Sequence, residues 1–322
     1  MPPPHIAVVG SYATGLTMRV ERLPGCGETL LGTGYRVDYG GKGSNQAVGC
    51  ARLGARVSFV ARIGDDSFGQ MALALYREEA IDVSHVKSTK GTPTGIGFIV
   101  VDAGGNNCIV LDPGANDHLT AKDIADSASV FDGVSVVLTQ LEIPVAAATA
   151  AMACGRQAGS ITILNPAPVR PLPASILELV DILTPNESEA YVLAGRDPER
   201  KVEAEQVAHE LIDKGVKQVV MTLGEEGALI VSAEKTTHIG AIRVAALDTV
   251  GAGDAFNAGL AVALGWGAPL EPAVRFAAVA GGLAVTKEGV IPALPRPEEV
   301  LTYCRQSGTA PPEWIAGRPG CI

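Results

Sequence analysis

The sequence predicts a three-layer α/β/α protein: a mostly parallel sheet between helices, with a small antiparallel β lid. Three observations predict it. Short β-branched apolar runs recur, each followed by a helix-like segment, as expected of parallel strands buried on both faces by covering helices. The composition is 47% hydrophobic but only 4% aromatic, so the core is aliphatic and alanine-rich. Two stretches, 16–38 and 92–111, break the alternation and read as extended chain with turn residues and few helix formers.

In chain order, HIAVVG (5–10) is the first strand, and LTMRV and TLLGTGYRVDY form the first half of the lid. A helix over 44–53, a strand over 57–64 (VSFVARIG) and a helix over 68–80 follow. GIGFIVVD and NCIVLD complete the lid, which spans about 12–40 and 92–111 as insertions in one domain over 1–322. Strands follow at 134–142, 161–168, 181–187 and 218–224, with helices at 144–158 and 200–215. Helices at 254–264, 270–286 and 297–306 close the core, and the tail from Gly308 reads as irregular. A lid beside the carboxyl ends of the strands covers the place where open α/β sheets bind ligands.

Several function classes are excluded. The formal net charge is −10 with no basic block, which argues against duplex nucleic acid as a partner. No apolar run approaches the ~18 residues of a membrane span, and MPPPHIAVVG has no signal-peptide character. The expectation is a cytoplasmic protein. The six cysteines are scattered without a C-x-x-C pair, so zinc and redox motifs are unsupported. No G-x-G-x-x-G follows the first strand, where the chain reads GSYATG, which argues against a nicotinamide dehydrogenase.

Four motifs carry chemistry. DTVGAGD (248–254) sets Gly251, Ala252 and Gly253 at a helix start, with Asp254 at the mouth. Successive N–H groups there form an anion cradle strengthened by the helix dipole. Asp254 is placed to take a proton from an attacking hydroxyl, the pairing that phosphoryl transfer needs. GGKGSNQA (40–47) opens a helix with Lys42 and Asn45 available to polyols or phosphates; it is not a Walker A loop, because Gly43 follows Lys42. ILTPNESEA (182–190) is either a capping box of Asn186 with Glu189 or a place where carboxylates hold Mg²⁺ through water. VVMTLGEEGALIV (219–231) reads as strand, turn, strand, a hairpin against which a nucleotide can lie. Glu142, in QLE, falls at a strand's carboxyl end, a ligand position in this architecture and equally a solvated end.

Together these motifs resemble the ribokinase family of carbohydrate kinases, of PfkB type, from about residue 5 to residue 300. GGKGSNQA and DTVGAGDAFNAG are similar to its two signatures, and GDDSFG, LNPAP, TPNESEA and TLGEEG match in order. The resemblance implies a ribokinase-like fold and ATP-dependent phosphorylation of a primary hydroxyl on a small carbohydrate. It implies Asp254 as catalytic base and Gly251, Ala252 and Gly253 as anion hole. It implies Gly41, Lys42, Asn45 and Glu142 as sugar contacts, and Asn186, Thr222, Gly224, Gly227 and Gly253 as nucleotide contacts. Glu189 matches a magnesium-associated glutamate. Asp248, Val250, Ala284, Lys287 and Gly289 match ligands of a monovalent cation, K⁺. The lid implies a homodimer contact.

Departures accompany the likeness. Ala13 and Gly15 stand where the family has an Asn and an Asp that grip sugar hydroxyls, with Tyr12 and Thr14 as partial substitutes. Losing such groups changes the substrate rather than trimming affinity: another pentose, a polyol, a deoxy sugar or a nucleoside. Ala293 replaces a serine at the cation site, and Ala278 a polar residue near the nucleotide. The alternatives are a nucleoside kinase of the same family and a non-catalytic sugar- or nucleotide-binding regulator.

Overall fold

The computed structural model describes residues 2–197 and 202–316; the first two residues of the expected 200–215 helix and the end of the tail lie outside them. A nine-stranded sheet forms the core. Its strands are β1 (His5–Val9), β4 (Arg56–Gly64), β5 (Asp82–Thr89), β8 (Val136–Thr139), β9 (Ile161–Leu164), β10 (Ile182–Leu183), β11 (Gln218–Thr222), β12 (Ala228–Ser232) and β13 (Thr236–Ile239). Their order is β13-β12-β11-β10-β9-β8-β1-β4-β5. All neighbours pair parallel except β11–β12 and β12–β13, so the predicted 219–231 hairpin is present.

Strand alternation divides the core into two layers. Ile6 and Val8 of β1 face one, Ala7 and Val9 the other, and all four are fully buried. The first layer is covered by α1 (Lys42–Arg52), α2 (Ser67–Glu78), α8 (Ala252–Gly265), α9 (Leu270–Ala284) and α10 (Pro297–Ser307). The second is covered by α3 (Ala121–Asp126), α4 (Val145–Gln157), α5 (Ala174–Leu177), α6 (Glu187–Ala194) and α7 (Ala204–Asp213). A short α11 (Glu313–Ala316) lies within the tail expected to be irregular. Small residues let α8 and α9 approach closely: a Cβ on Gly259 would lie 3.0 Å from Ala280 Cβ. β9 and β10 are shorter than their apolar runs suggest, because Pro166 and Pro185 sit two residues past their ends and cannot donate to a ladder, and β8 is likewise shorter, ending at Thr139.

The lid is a second sheet, ordered β3-β2-β6-β7, of β2 (Ala13–Arg19), β3 (Thr33–Gly40), β6 (Gly95–Val101) and β7 (Asn107–Asp112). Its outer pairs are antiparallel, but the central pair, β2–β6, is parallel. Both central strands leave the core in the same direction, one after β1 and the other after β5, and β3 and β7 return beside them. Asn116 clamps the hinge. Its Oδ1 accepts from Tyr12 N at 3.0 Å, and its Nδ2 donates to Tyr12 O at 2.7 Å and Pro113 O at 2.9 Å.

Beside the hinge, α3 is tied to β4 and β5 through Asp123. Its carboxylate accepts from Arg62 Nε at 3.0 Å and Nη2 at 2.8 Å, from Lys87 Nζ at 3.1 Å and from Thr120 N at 3.0 Å. Burial presses the Asp123 pKa upward, but Arg62, Thr120 and Lys87 outweigh it and hold it well below the usual carboxylate range. A depressed folded-state pKa contributes stability that is present above the unfolded value of about 3.9 and is lost as pH falls through the folded value. Asp123→Asn should therefore cost about 3 kcal/mol at neutral pH. Denaturant titrations over a pH series should show the gap to wild type narrowing below about pH 4.

Candidate active site

β4 lies on one side of β1 and β8 on the other, so strand order reverses at β1. The crevice outside the carboxyl ends of β1 and β8 is where such a sheet takes its ligand. The start of α1 presses directly onto that strand end. A Cβ on Gly43 would lie 2.6 Å from Gly10 C, and one on Gly10 would lie 2.7 Å from Gly43 Cα. Only two facing glycines permit this approach. Gly41, with φ 85°, packs on the backbone of Tyr12 and Ala13, where a Cβ would lie 2.7 Å from Ala13 N. Its hydrogen side chain is thus explained by this contact.

The approach gathers the crevice's polar groups. Glu142, three residues past β8, accepts on Oε2 from Ser11 Oγ at 2.6 Å and from Lys42 N at 2.8 Å. Asp254, in the first turn of α8, is only 5% exposed. Its Oδ2 accepts from Asn45 Nδ2 at 2.8 Å and its Oδ1 from Gln46 Nε2 at 2.9 Å. Behind it runs a buried network. Gln46 Nε2 also donates to Asn165 Oδ1 at 3.1 Å, Gln140 Nε2 donates to Gln46 Oε1 at 2.6 Å, and Asn165 Nδ2 donates to Thr184 O at 3.0 Å. Thr184 Oγ1 donates to Asn257 Oδ1 at 2.6 Å, and Asn257 Nδ2 donates to Gly253 O at 2.8 Å, which closes the network back onto the turn that carries Asp254. Asn45 Oδ1 is buried beside Asp254 with no donor to satisfy it.

Lys42 stands among three carboxylates. Burial presses its ammonium toward neutrality, but Asp254, Glu142 and Glu189 outweigh that and raise its pKa above the usual lysine value. Glu189 shifts upward too, chiefly through burial and further through Asp254, against the opposing effects of the Asn186 N–H and Lys42. Glu189 and Asn186 form a reciprocal capping box on α6, with both bonds at 2.8 Å. The structural reading of that N-x-x-E pair is therefore realised, with Glu189 Oε2 engaged and Oε1 outside the box.

The start of α8 has the form of an anion cradle. Gly251 is its N-cap, left-handed at φ 82°, and a Cβ there would lie 2.6 Å from Val290 Cγ1. Gly253 faces open space, with nothing within 4 Å of a Cβ. Of the expected nucleotide contacts, Asn186 and Thr222 form a parallel bridge between the ends of β10 and β11. Gly224, φ 59°, also faces open space, whereas a Cβ on Gly227 would lie 2.5 Å from Ala241 N. Close packing thus accounts for Gly41, Gly227 and Gly251; Gly224 and Gly253 are open to a ligand.

The expected cation residues also come together. Asp248 Oδ1 accepts from Val250 N and Oδ2 from Gly289 N, both at 3.0 Å. Ala284 O accepts from Lys287 N at 3.3 Å, and the Lys287 ammonium pairs with Glu299 instead of turning inward. Ala293 is buried and contributes only a methyl. No cluster of three or more His, Cys, Asp or Glu suited to a metal occurs among the described residues.

Tyr12 and Thr14 do not substitute for the groups missing at Ala13 and Gly15. Thr14 is fully buried, and Tyr12 OH pairs with its Oγ1 at 3.2 Å; strand alternation turns Thr14 to the face opposite Ala13 and Gly15. Burial pushes the Tyr12 phenol up to about 12, which marks a core residue. Sequence reasoning missed Gln46, Gln140, Ser11, Asn165 and Asn257. Gln46, Gln140, Asn165 and Asn257 all lie inside motifs already singled out, GGKGSNQA, QLE, LNPAP and DTVGAGDAFNAG.

The pfkB family carbohydrate kinase model matches residues 3–297. A ribokinase of Haemophilus influenzae is 38% identical over 92% of this chain and 97% of its own length. A deoxyribokinase of Salmonella typhimurium is 32% identical over 92% of this chain and 98% of its own. A solved structure of Arabidopsis thaliana ribokinase complexed with ribose and ATP superposes with a TM-score of 0.87 at 34% identity, over 94% of this chain and 98% of that one. A family match over nearly the whole chain, on a fold that brings Asp254, Asn45 and the α8 cradle together, places this protein in the pfkB family of carbohydrate kinases.

Proposed function

We propose that the protein uses ATP to phosphorylate a primary hydroxyl of a small carbohydrate. The observation that carries this reading is the buried Asp254 carboxylate, fixed by two amides at the start of α8 beside an open Gly253. Amide donors orient the carboxylate without neutralising its charge, so it keeps lone pairs for a hydroxyl proton. The acceptor hydroxyl lies against Asp254, and a second hydroxyl satisfies the orphan Asn45 Oδ1. The N–H of Gly253, joined by that of Ala252, which here donates to Thr249 O at 3.3 Å, stabilises charge on the moving phosphoryl group with the aid of the helix dipole. Gly41 and Glu142 shape the acceptor side; Asn186, Thr222, Gly224 and Gly227 line the nucleotide side. Lys42 balances the three carboxylates around it and draws the anionic phosphates inward.

The donor set fits Mg²⁺ held through water by Glu189, whose Oε1 stays outside the capping box. Bound there, Mg²⁺ neutralises phosphate charge. The carbonyls and single carboxylate gathered from Asp248, Val250, Ala284, Lys287 and Gly289 suit K⁺, with Ala293 supplying no oxygen. A second reading, an acceptor bulkier than a free pentose such as a nucleoside, is favoured by the small lid residues Ala13 and Gly15, the latter with no atom closer than 3.5 Å to a Cβ placed there.

The lid's outer face supports a homodimer. Tyr35, Val37, Phe98 and Val110 project there and are exposed, an apolar patch of the kind that marks an interface. Phe98→Asp should convert a dimer to a monomer in light scattering, with the circular dichroism spectrum unchanged.

ADP release with Mg-ATP and K⁺, across pentoses, deoxy sugars, hexoses, polyols and nucleosides, tests the activity. Asp254→Asn should lower kcat by about two to four orders of magnitude on any accepted compound, with KM for ATP little changed. Near-normal turnover by that variant would count decisively against the reading.

A further inference from the structure

Near the hinge, the cleft side of the lid carries only small residues. Residues paired across a sheet share a face, so the register identifies them. Ala13 pairs with Gly40 and Gly95, Gly15 with Asp38 and Gly97, and Thr17 with Arg36 and Ile99. This face looks toward the α8 cradle. Arg36 on it reaches Glu288 at 3.0 Å, and Arg19 reaches the same carboxylate at 3.2 Å. Glu288 adjoins Gly289, whose N–H is bound by Asp248, and Val290, which packs on Gly251.

Five positions on this face, Ala13, Gly15, Gly40, Gly95 and Gly97, bring a methyl or nothing. Gly95 is filled by the hinge, where a Cβ would lie 2.4 Å from Asn116 Nδ2, and a Cβ on Gly40 would lie 3.2 Å from Ala13 O, so the open space lies at Ala13 and Gly15. Ile99 and Leu111 supply apolar surface beside them: Ile99 Cδ1 would lie 3.5 Å from a Cβ on Gly15, and Leu111 Cδ2 would lie 2.9 Å from one on Gly97. Among these paired positions Asp38 alone brings an ionised hydrogen-bond acceptor. Its Cβ would lie 3.8 Å from a Cβ on Gly15, so it borders the space that Gly15 leaves empty. Arg36 Nε stands 3.5 Å from Asp38 Oδ2, beyond a good hydrogen bond. That guanidinium is committed to Glu288, so it steers the carboxylate without saturating it.

A carboxylate with free lone pairs can accept from two adjacent hydroxyls at once. We propose that Asp38 is a specificity-determining residue of the acceptor site. Its carboxylate reads a pair of vicinal hydroxyls on the acceptor, while Ala13 and Gly15 leave the space beside it free of longer side chains. The substrate class is thus a carbohydrate, free or part of a nucleoside, that retains a vicinal diol. The inference rests on the kinase reading above and deepens it.

The test compares D-ribose and adenosine, each against its 2-deoxy counterpart, for wild type, Asp38→Asn and Asp38→Ala, with Asp254→Asn as control. Wild type should favour the diol member of an accepted pair by about tenfold or more, the worth of a hydrogen bond to a charged group. Asp38→Ala should raise KM for that member by a similar factor, leave kcat and KM for ATP within about threefold, and erase the preference. Asp38→Asn, which keeps the shape without the charge, should fall between. Wild-type indifference to the deoxy change, or an Asp38→Ala enzyme with KM and preference intact, would overturn the inference and leave Asp38 as a surface ion-pair residue, while the kinase reading stands. No turnover on either pair, with Asp254-dependent turnover on another compound of the wider panel that lacks a vicinal diol, overturns this inference alone; no Asp254-dependent turnover across the whole panel removes the kinase reading and this inference with it.

Discussion

The contact between Gly10 and Gly43 is the constraint on which the rest of the site depends. It sets the start of a helix on the end of the central strand with no side chain between them. From that approach follow the Glu142 bonds to Ser11 and Lys42, and the reach of Asn45 and Gln46 to Asp254. A methyl group at either glycine would push α1 outward by more than a hydrogen bond can stretch. Such a change would lower activity without touching any group that meets substrate.

The second constraint is electrostatic. Burying a carboxylate is costly unless hydrogen bonds replace water. Asp254 meets that cost with neutral amides, which in turn are tied to Asn165, Gln140, Thr184 and Asn257. A cation in direct contact would have satisfied the charge equally well but drawn on the carboxylate's lone pairs. Lys42 instead balances three carboxylates from the edge of the site.

Most of the core was legible in the sequence. Six parallel strands and seven helices could be placed because two-sided burial and helical periodicity leave strong local signals. The exposed edge strands β5 and β13 escaped notice, since strands half open to solvent lack a continuous apolar run. The parallel pairing of β2 with β6 was not legible either: strand sense depends on where the chain leaves the core, which no local pattern records. In the site, Asp254 and its glycines could be read as a motif. Gln46 could not, because a buried amide looks like any other polar residue until its partner, 208 positions away, is known. The Gly-rich loop was singled out as a helix entry offering Lys42 and Asn45; that Gly41 and Gly43 also pack on the end of the first strand is a contact only the fold reveals.

The lid has a consequence of its own. Its strands present one face to the cleft and the other, apolar, to the outside, so neighbouring residues answer to unrelated demands. Odd-numbered positions of β2 face the cleft; Leu16 and Met18 face outward. Insertion of a single residue before Gly15 would exchange the two sets. The lid can therefore drift in chemistry by substitution, one alternate position at a time, but it tolerates almost no change in length. In a lineage of such kinases, a new acceptor preference would be written in side chains, with loop length nearly silent.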